Sequence, residues 1–345
     1  VKILVTGGAG FIGSNFIRYL LARHAADEVV NLDALKYSGN LETLADIADD
    51  PRYRFVHGDI ADAEIVCKAM QGAAVAVNFA AESHVDRSIE NPEAFFHTNV
   101  NGTLVLLQAA RRADVQCFVQ VSTDEVYGSL GPSGCFVEYS PLQPSSPYAA
   151  SKAAADLLAL SFWTTYHLPV MVTRCSNNFG PYQFPEKVIP LFVTNALADE
   201  LLPLYGDGMN VRDWIYVEDH CAALDLVLRG GRPGEIYNIG ASSERSNREV
   251  TELILSILNK PLSLIRYVSD RPGHDRRYAL DATKMRAEFD WQPLHTFDDA
   301  LRRTVLWYRD HPTWWQRVKS GEYRTYYQRM YGARLSGVQQ RRSTP

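Results

Sequence analysis

The sequence predicts an α/β fold, a doubly wound parallel sheet with helices on both faces and a smaller, discontinuous α/β lobe beside it. Two observations carry this. Short apolar runs alternate with amphipathic segments through the first half, the pattern of a parallel sheet with helical crossovers. The first run also leads straight into a glycine-rich turn, Gly7-Gly8-Ala9-Gly10-Phe11-Ile12-Gly13, that opens a helix.

The strands expected are Val1–Thr6, Glu28–Asp33, Tyr53–His57, Ala74–Phe79, Cys117–Ser122 and Pro169–Thr173. Between them the apolar spacing predicts helices over Phe11–Arg23, Ala63–Met70, Pro92–Ala113 and Tyr148–His167. Pro92–Ala113 has good start signals, with Asn91 as N-cap, Pro92 behind it and Glu93 in the first turn. Beyond Arg174 the rhythm breaks into the turn-rich stretches Asn177–Pro185 and Gly206–Asn210 and a loop Arg271–Asp275. Helices return at Val217–Arg229, at Glu249–Leu258 behind a Ser246…Glu249 capping box, and at Phe297–Arg309. Residues 1–176, with about 213–240 returning to them, are expected to form the dinucleotide-binding domain; 177–212 and 241–330 form the second lobe, and 331–345 a flexible tail.

Composition excludes several classes. The chain has 345 residues, 46% hydrophobic and 22% charged, with net charge −5 and no basic block. A nucleic-acid or anionic-membrane partner therefore has little support. Five cysteines, none in a CxxC arrangement, suit neither a disulfide framework nor a zinc site. With no run of about 20 apolar residues and an N-terminus opening directly into a strand, a cytoplasmic location and no metal are expected.

In the glycine-rich turn, Gly7 makes the tight bend and Gly10 lets a pyrophosphate approach the backbone. Gly13 lets the helix lie close to the sheet, and the helix N-terminus stabilises phosphate charge. Asp33, twenty residues past Gly13 at the end of the second strand, would accept from ribose hydroxyls and repel a 2′-phosphate, favouring NAD over NADP. Lys36 lies close enough to qualify that preference. Asp59-Ile60 could sit at the adenine edge, although Asp59 equally fits a turn.

Tyr148 and Lys152, four apart at a helix start, share a face. A phenol near pKa 10 is a poor base at neutral pH, and a neighbouring ammonium would bring it closer to working range. Coupled to the glycine turn, this pair and Thr123 are the redox signature of the short-chain dehydrogenase/reductases. Thr123 is followed by Asp124-Glu125 off the fifth strand, where open sheets place ligands. The two carboxylates could be a solvated turn or a site pair that divides into acid and base.

The chain resembles the extended short-chain dehydrogenase/reductases with a Rossmann-type fold, and among them the dTDP-glucose 4,6-dehydratases. The resemblance runs to about residue 310. It rests on Gly7–Gly13, Ala80–Ser88, Thr98–Thr103, Ser122–Gly128, Ser146–Lys152, Ser176–Gln183, Arg212-Asp213-Trp214 and Arg271–Asp275. It implies an NAD-dependent hydro-lyase that converts dTDP-glucose to dTDP-4-keto-6-deoxyglucose. Tyr148, supported by Lys152 and Thr123, would take the O4 proton during oxidation at C4. Glu125 would then remove the C5 proton and Asp124 protonate the departing C6 hydroxyl, before reduction at C6. Phe11, Ile12, Ala80, Ala81 and Asn99 would belong to the cofactor pocket. Ser83, Asn177, Lys187, Val188, Pro203, Tyr205, Arg212, Asn247, Arg271, His274 and Tyr278 would bind the nucleotide-sugar. Ala34 and Lys36 depart from the Lys and Thr often seen in this family.

The alternatives are a dehydratase of a UDP-, CDP- or GDP-sugar, a 4-epimerase or decarboxylase, which would lack Asp124, and a non-catalytic NAD sensor. The helix at Tyr148 is apolar around much of its circumference, which fits either interior packing or a homodimer formed with the Pro92–Ala113 helix.

Overall fold

The computed structural model describes residues 1–270, 273–320 and 322–335. The first half builds β1 (Lys2–Thr6), α1 (Phe11–Arg23), β2 (Glu28–Asp33), β3 (Tyr53–His57), α2 (Ala63–Met70) and β4 (Val75–Asn78). It continues with α3 (Val85–Glu90), α4 (Pro92–Phe95), α5 (Thr103–Arg112), β5 (Cys117–Thr123), α6 (Pro147–Tyr166) and β6 (Val170–Cys175). The second half adds β7 (Asn177–Phe179), α7 (Val188–Leu197), β8 (Leu202–Tyr205), β9 (Val211–Tyr216), α8 (Val217–Gly230) and β10 (Ile236–Ile239). It ends with β11 (Glu244–Ser246), α9 (Asn247–Ile257), β12 (Ile265–Val268), α10 (Thr283–Phe289), α11 (Phe297–Asp310), α12 (Pro312–Val318) and α13 (Glu322–Leu335).

Seven strands form the main sheet in the order β10-β6-β5-β4-β1-β2-β3, all parallel, with Leu4 opposite Val30 and Ala76 in the middle. The chain winds outward in one direction from β1 and in the other from β4. The crevice between these two strands is where such sheets bind ligands, beyond the strand C-termini. One face is closed by Phe16, Ile17 and Leu20 of α1 with Leu224 and Val227 of α8. Val66 and Met70 of α2, Leu106 and Leu107 of α5 and Phe162 of α6 close the other. A separate core, including Phe179, Phe192, Trp214, Ile254, Leu301 and Tyr308, holds the second lobe. There β9 lies between β7 and β11, and β8 pairs with β12.

The expected helix over Pro92–Ala113 is instead broken, with a π-helical turn from Phe96 to Gly102 between α4 and α5. Asn91 stands at the N-cap without capping through its side chain. The wider turn matters because it aims Asn99 inward. Its amide accepts from Glu82 N (2.9 Å) and donates to Glu82 O (3.0 Å) and Ser151 Oγ (2.8 Å). Irregular helical turns of this kind collect near functional sites. By contrast the Ser246–Glu249 capping box forms as expected.

Three placements differ from the expected organisation. Residues 213–216 pair within the lobe sheet as part of β9, so the return to the main sheet begins with α8. Met285 of α10 and Trp291 pack into the core beneath the main sheet rather than in the lobe. The expected tail is helical as far as Leu335, with Tyr331 buried in the lobe core; residues 336–345 lie outside the described residues.

Candidate active site

The functional side chains come from the C-terminal ends of the parallel strands. After β1, Gly7 N donates to Leu32 O at 2.9 Å, with Gly7 at φ 69°. A Cβ there would lie 2.7 Å from Ala80 N, so the turn after β1 sits directly on the end of β4. Gly13 serves a neighbouring need, since its Cβ would stand 2.4 Å from Gly7 O. The glycine spacing thus keeps the backbone of the turn and the first turn of α1 in contact, leaving a dense cradle for a pyrophosphate.

At the end of β2, Asp33 accepts from Ala9 N (2.9 Å) and Leu35 N (2.8 Å). Its burial raises the carboxyl pKa against those two hydrogen bonds. Lys36 lines the same cleft as this carboxylate, and its charge lowers the carboxyl pKa. Its ammonium donates to Thr98 Oγ1 at 2.9 Å and lies 3.1 Å from Asp59 and 3.7 Å from Glu82. It is therefore engaged by the π turn and by carboxylates that follow β3 and β4.

At the end of β5, Thr123 caps a short turn, accepting from Glu125 N (3.3 Å) and donating to Asp124 Oδ1 (3.2 Å). Gly128, at φ 85°, ends that turn against Gln143 O. Asp124 is buried, and its Oδ2 has no hydrogen-bond partner among the described residues. Burial, then the adjacent charge of Glu125, pushes the Asp124 carboxyl well above the usual range. A pair so arranged divides itself, with the buried member favouring the protonated form of an acid.

Tyr148 enters from the first turn of α6, which Ser146 caps by accepting from Ala149 N at 3.1 Å. Burial, then the charge of Glu125, raises its phenol well above the ordinary value, opposed by a hydrogen bond with Thr123. Lys152, also buried, donates to Val121 O at 2.7 Å. The sequence led us to expect a neighbouring ammonium to bring the phenol toward working range; in the structure burial raises it, Thr123 opposes the rise directly, and Lys152 donates to the β5 carbonyl.

One continuous cleft is lined by Gly7, Gly10, Phe11, Ile12, Gly13, Asp33, Asp59, Ile60, Ala80 and Ala81. The same cleft reaches Ser83, Thr123, Asp124, Glu125, Tyr148, Lys152, Asn177 and Lys187. Asn177 Oδ1 is a second buried acceptor without a partner among the described residues. A cradle that excludes Cβ atoms at one end and carries unpaired acceptors at the other fits a dinucleotide lying toward a polyhydroxylated ligand. Asn99 lies behind the cleft wall.

The remaining described candidates are not among the residues that line that cleft. Arg212 on β9 reaches Asp275 O (3.0 Å) and lies 4.4 Å above the Tyr278 ring. Arg212 is also a positive influence on Asp124, and Glu125 a negative one on Tyr278, which places this group beside the acid pair. Tyr205 meets His274 edge to face at 6.0 Å, and its hydroxyl donates to Asp86 at 3.3 Å. Asn247 opens α9 and Val188 opens α7, while Pro203 lies opposite Arg266 in the β8–β12 pair. Arg271 lies outside the described residues.

Sequence reasoning missed Tyr37, Glu82, Gln183 and Glu186 in the cleft wall. Glu186 is buried yet ionisable, accepts from Arg87 Nε at 3.2 Å, and burial pushes its carboxyl up to about 7. Its only signal was a place beside Lys187. No group of His, Cys, Asp and Glu able to hold a metal occurs among the described residues.

The family model described as GDP-mannose 4,6 dehydratase matches residues 4–304. A dTDP-glucose 4,6-dehydratase from Xanthomonas campestris pv. campestris is 53% identical over 341 residues, covering 93% of this chain and 97% of that protein. The crystal structure of DesIV, a dTDP-glucose 4,6-dehydratase from Streptomyces venezuelae with NAD and TYD bound, is 55% identical with TM-score 0.91. It covers 92% of this chain and all (100%) of its own. The Bacillus anthracis dTDP-glucose 4,6-dehydratase in complex with NAD is 53% identical with TM-score 0.87, at 92% and 100% coverage. With a glycine cradle, a buried Tyr–Lys pair and an acid pair at the end of β5, the chain belongs to this dehydratase family, among the dTDP-glucose 4,6-dehydratases.

Proposed function

We propose that this protein is an NAD-dependent hydro-lyase that dehydrates dTDP-glucose to dTDP-4-keto-6-deoxyglucose. The observation that carries the reading is the buried Asp124, with an unpaired Oδ2 and a carboxyl held toward its protonated form, beside Glu125 and within the Tyr148 cleft. An epimerase needs no such acid.

NAD, when bound, supplies the hydride acceptor for C4 and the hydride donor for C6. The chain's residues handle the protons. Tyr148 takes the O4 proton, with Thr123 orienting the hydroxyl. The C4 ketone acidifies the C5 proton, which Glu125 removes. Asp124 delivers its proton to the C6 hydroxyl, which leaves as water. Of these groups, Asp124 is already held toward the protonated form that its role as acid requires.

In this reading Gly7, Gly10, Phe11, Ile12, Gly13, Asp33, Asp59, Ile60, Ala80 and Ala81 hold NAD, with Asn99 supporting their pocket. Ser83, Asn177, Lys187, Val188, Pro203, Tyr205, Arg212, Asn247, Arg271, His274 and Tyr278 hold the nucleotide-sugar. Arg212 and Arg271 supply guanidinium donors suited to diphosphate oxygens. The lobes divide as 1–176 with α8, β10 and α10 returning to the main sheet, against 177–216 and the remaining segments between 241 and 335. A homodimer through the α4–α5 and α6 helices is supported by exposed apolar side chains there, Phe96 at 44%, Leu157 at 59% and Tyr166 at 49%. A cytoplasmic location accords with the cysteine pattern; no helix among the described residues is long and apolar enough to cross a membrane.

A second reading, dehydration of another nucleotide-sugar, draws on the GDP-mannose name of the matching family model. Comparing kcat/KM for dTDP-, UDP-, CDP- and GDP-glucose tests both. A clear preference for dTDP-glucose is expected, and turnover of a different nucleotide with dTDP-glucose inert overturns the first reading.

A further inference from the structure

Behind the redox pair, α6 carries a third polar side chain on the same face. Tyr148, Lys152 and Asp156 follow at four-residue spacing, so they stack along one face of the helix, here turned to β5 and β6. Asp156 is fully buried and accepts from Arg174 Nε of β6 at 2.9 Å. Arg174 is equally enclosed, with its guanidinium 4.8 Å from the Tyr127 ring centre and a second nitrogen 3.4 Å from Glu138 O. Such a pair is weak evidence for stability, because apolar replacements of similar volume often do as well. Its position one turn from Lys152 calls for a different explanation.

We infer that Asp156, balanced by Arg174, is a positioning residue that holds the Lys152 ammonium charged and oriented one helical turn from Tyr148. The inference rests on the Tyr148/Lys152 assignment above.

Lys152 has three N–H donors, and its interaction with Val121 O at 2.7 Å accounts for one. Burial pulls this lysine toward its neutral form; the charge of Asp156 is the largest opposing influence, with Cys175 next. Burial likewise pushes the Asp156 carboxyl up, and Arg174, then Lys152, hold it down. The three therefore alternate in sign along the α6–β6 seam, leaving one net positive charge near the phenol. The surroundings reinforce this. Beside Tyr148 stand Val85 of α3 and Phe95 of α4, and its ring meets that of Phe95 at 6.3 Å. The π turn contributes Asn99, bonded to Ser151, and α5 contributes apolar Leu106, Leu107 and Ala110 on the far side. The charged and titratable neighbours are Cys175 and Arg174 from β6 and Asp124, Glu125 and Tyr127 from the turn after β5, with Ser122 from β5. Of these, the acid pair disfavours the phenolate, so a phenolate there depends on the ammonium remaining charged.

The test is the pH dependence of kcat with dTDP-glucose and NAD-loaded enzyme, for the unmodified protein, Asp156→Asn and Arg174→Gln. Removing the carboxylate eases proton loss from Lys152, so Asp156→Asn should move the alkaline limb to lower pH by about tenfold in proton concentration. Arg174→Gln leaves the carboxylate to Lys152 alone and should move that limb the opposite way. A packing role would lower activity in both variants without moving the limb, and that result overturns the inference. Should Asp156→Asn fail to fold, the Arg174→Gln shift decides. Should neither fold, the unmodified protein still does, because an alkaline limb below neutrality is incompatible with a lysine held charged. Tyr148→Phe run alongside separates the two claims, since turnover surviving in it would sink the redox assignment whatever the limbs do.

Discussion

Gly7→Ala is the substitution whose effect the structure prices most directly. The residue sits at φ 69°, where an L side chain costs about 1–2 kcal/mol. The added Cβ would stand 2.7 Å from Ala80 N, 2.8 Å from Ala80 Cα and 2.9 Å from Phe79 C. All three are backbone atoms at the end of β4, so nothing flexible can swing aside, and overpacking of this kind adds roughly 1–3 kcal/mol. Together the cost is roughly 2–5 kcal/mol, a large share of the ~5–15 kcal/mol by which domains are stable. Gly131→Ala is the control, because its Cβ would meet nothing within 4 Å; it should stay within about 0.5 kcal/mol. Denaturant midpoints of the NAD-loaded proteins measure both. Gly7→Ala should also lose NAD faster on dilution, since Ala80 lines the cofactor end of the cleft. If Gly7→Ala unfolds at the same midpoint as Gly131→Ala, the close approach of the turn to β4 is wrong.

The other predictions concern chemistry and charge. Asp124→Asn should lower turnover by about 10²–10⁴-fold, the usual worth of a general acid, while leaving exchange of the C5 proton with deuterated solvent intact; lost exchange would mean that the acid and base roles are reversed. Glu125→Gln should do the converse, permitting oxidation at C4 while abolishing that exchange. Glu186 sits near pKa 7 in the folded protein against 4.5 for the free side chain. The unfolded chain therefore ionises first as pH rises. The Glu186 contribution is fully present below about 4.5 and is lost as pH climbs through about 7, a change of about 3 kcal/mol. Glu186→Gln should flatten the fall in stability across that window, and an unchanged slope between pH 4.5 and 7 would contradict it. Asn99→Ala should strand Glu82 N and loosen the cleft wall, seen as faster NAD release with the redox residues untouched.

The first half was legible because its signals are local and redundant. β1, the glycine turn and α1 each announce themselves, and Asp33 falls where β2 must end. The acid pair was readable for the same reason, since a strand end fixes where Thr123, Asp124 and Glu125 must lie. The second half resisted because its strands run from three to six residues and draw on tertiary neighbours. β7 is Asn-Asn-Phe, a sequence that reads as a turn until β9 pairs with it. α7 hides for another reason. Val-Ile-Pro-Leu-Phe-Val is apolar on every side, so it has no amphipathic period, and Pro190 falls in the first turn, where a helix tolerates it. The π turn at Phe96–Gly102 was equally invisible, because the apolar spacing of α4 and α5 continues across it. Lys36 could be placed near the cofactor cleft by sequence but not aimed; its direction depends on Asp59, Thr98 and Glu82, which arrive from other strands.

The most direct test of the central claim is to incubate the NAD-loaded protein with dTDP-glucose in deuterated water and identify the product by mass and NMR. The account predicts a product lighter by one water, with a ketone at C4, a methyl at C6 and a solvent deuterium at C5, and no net change in NAD. Recovery of unchanged sugar, or of a C4 epimer without deuterium at C5, would contradict it.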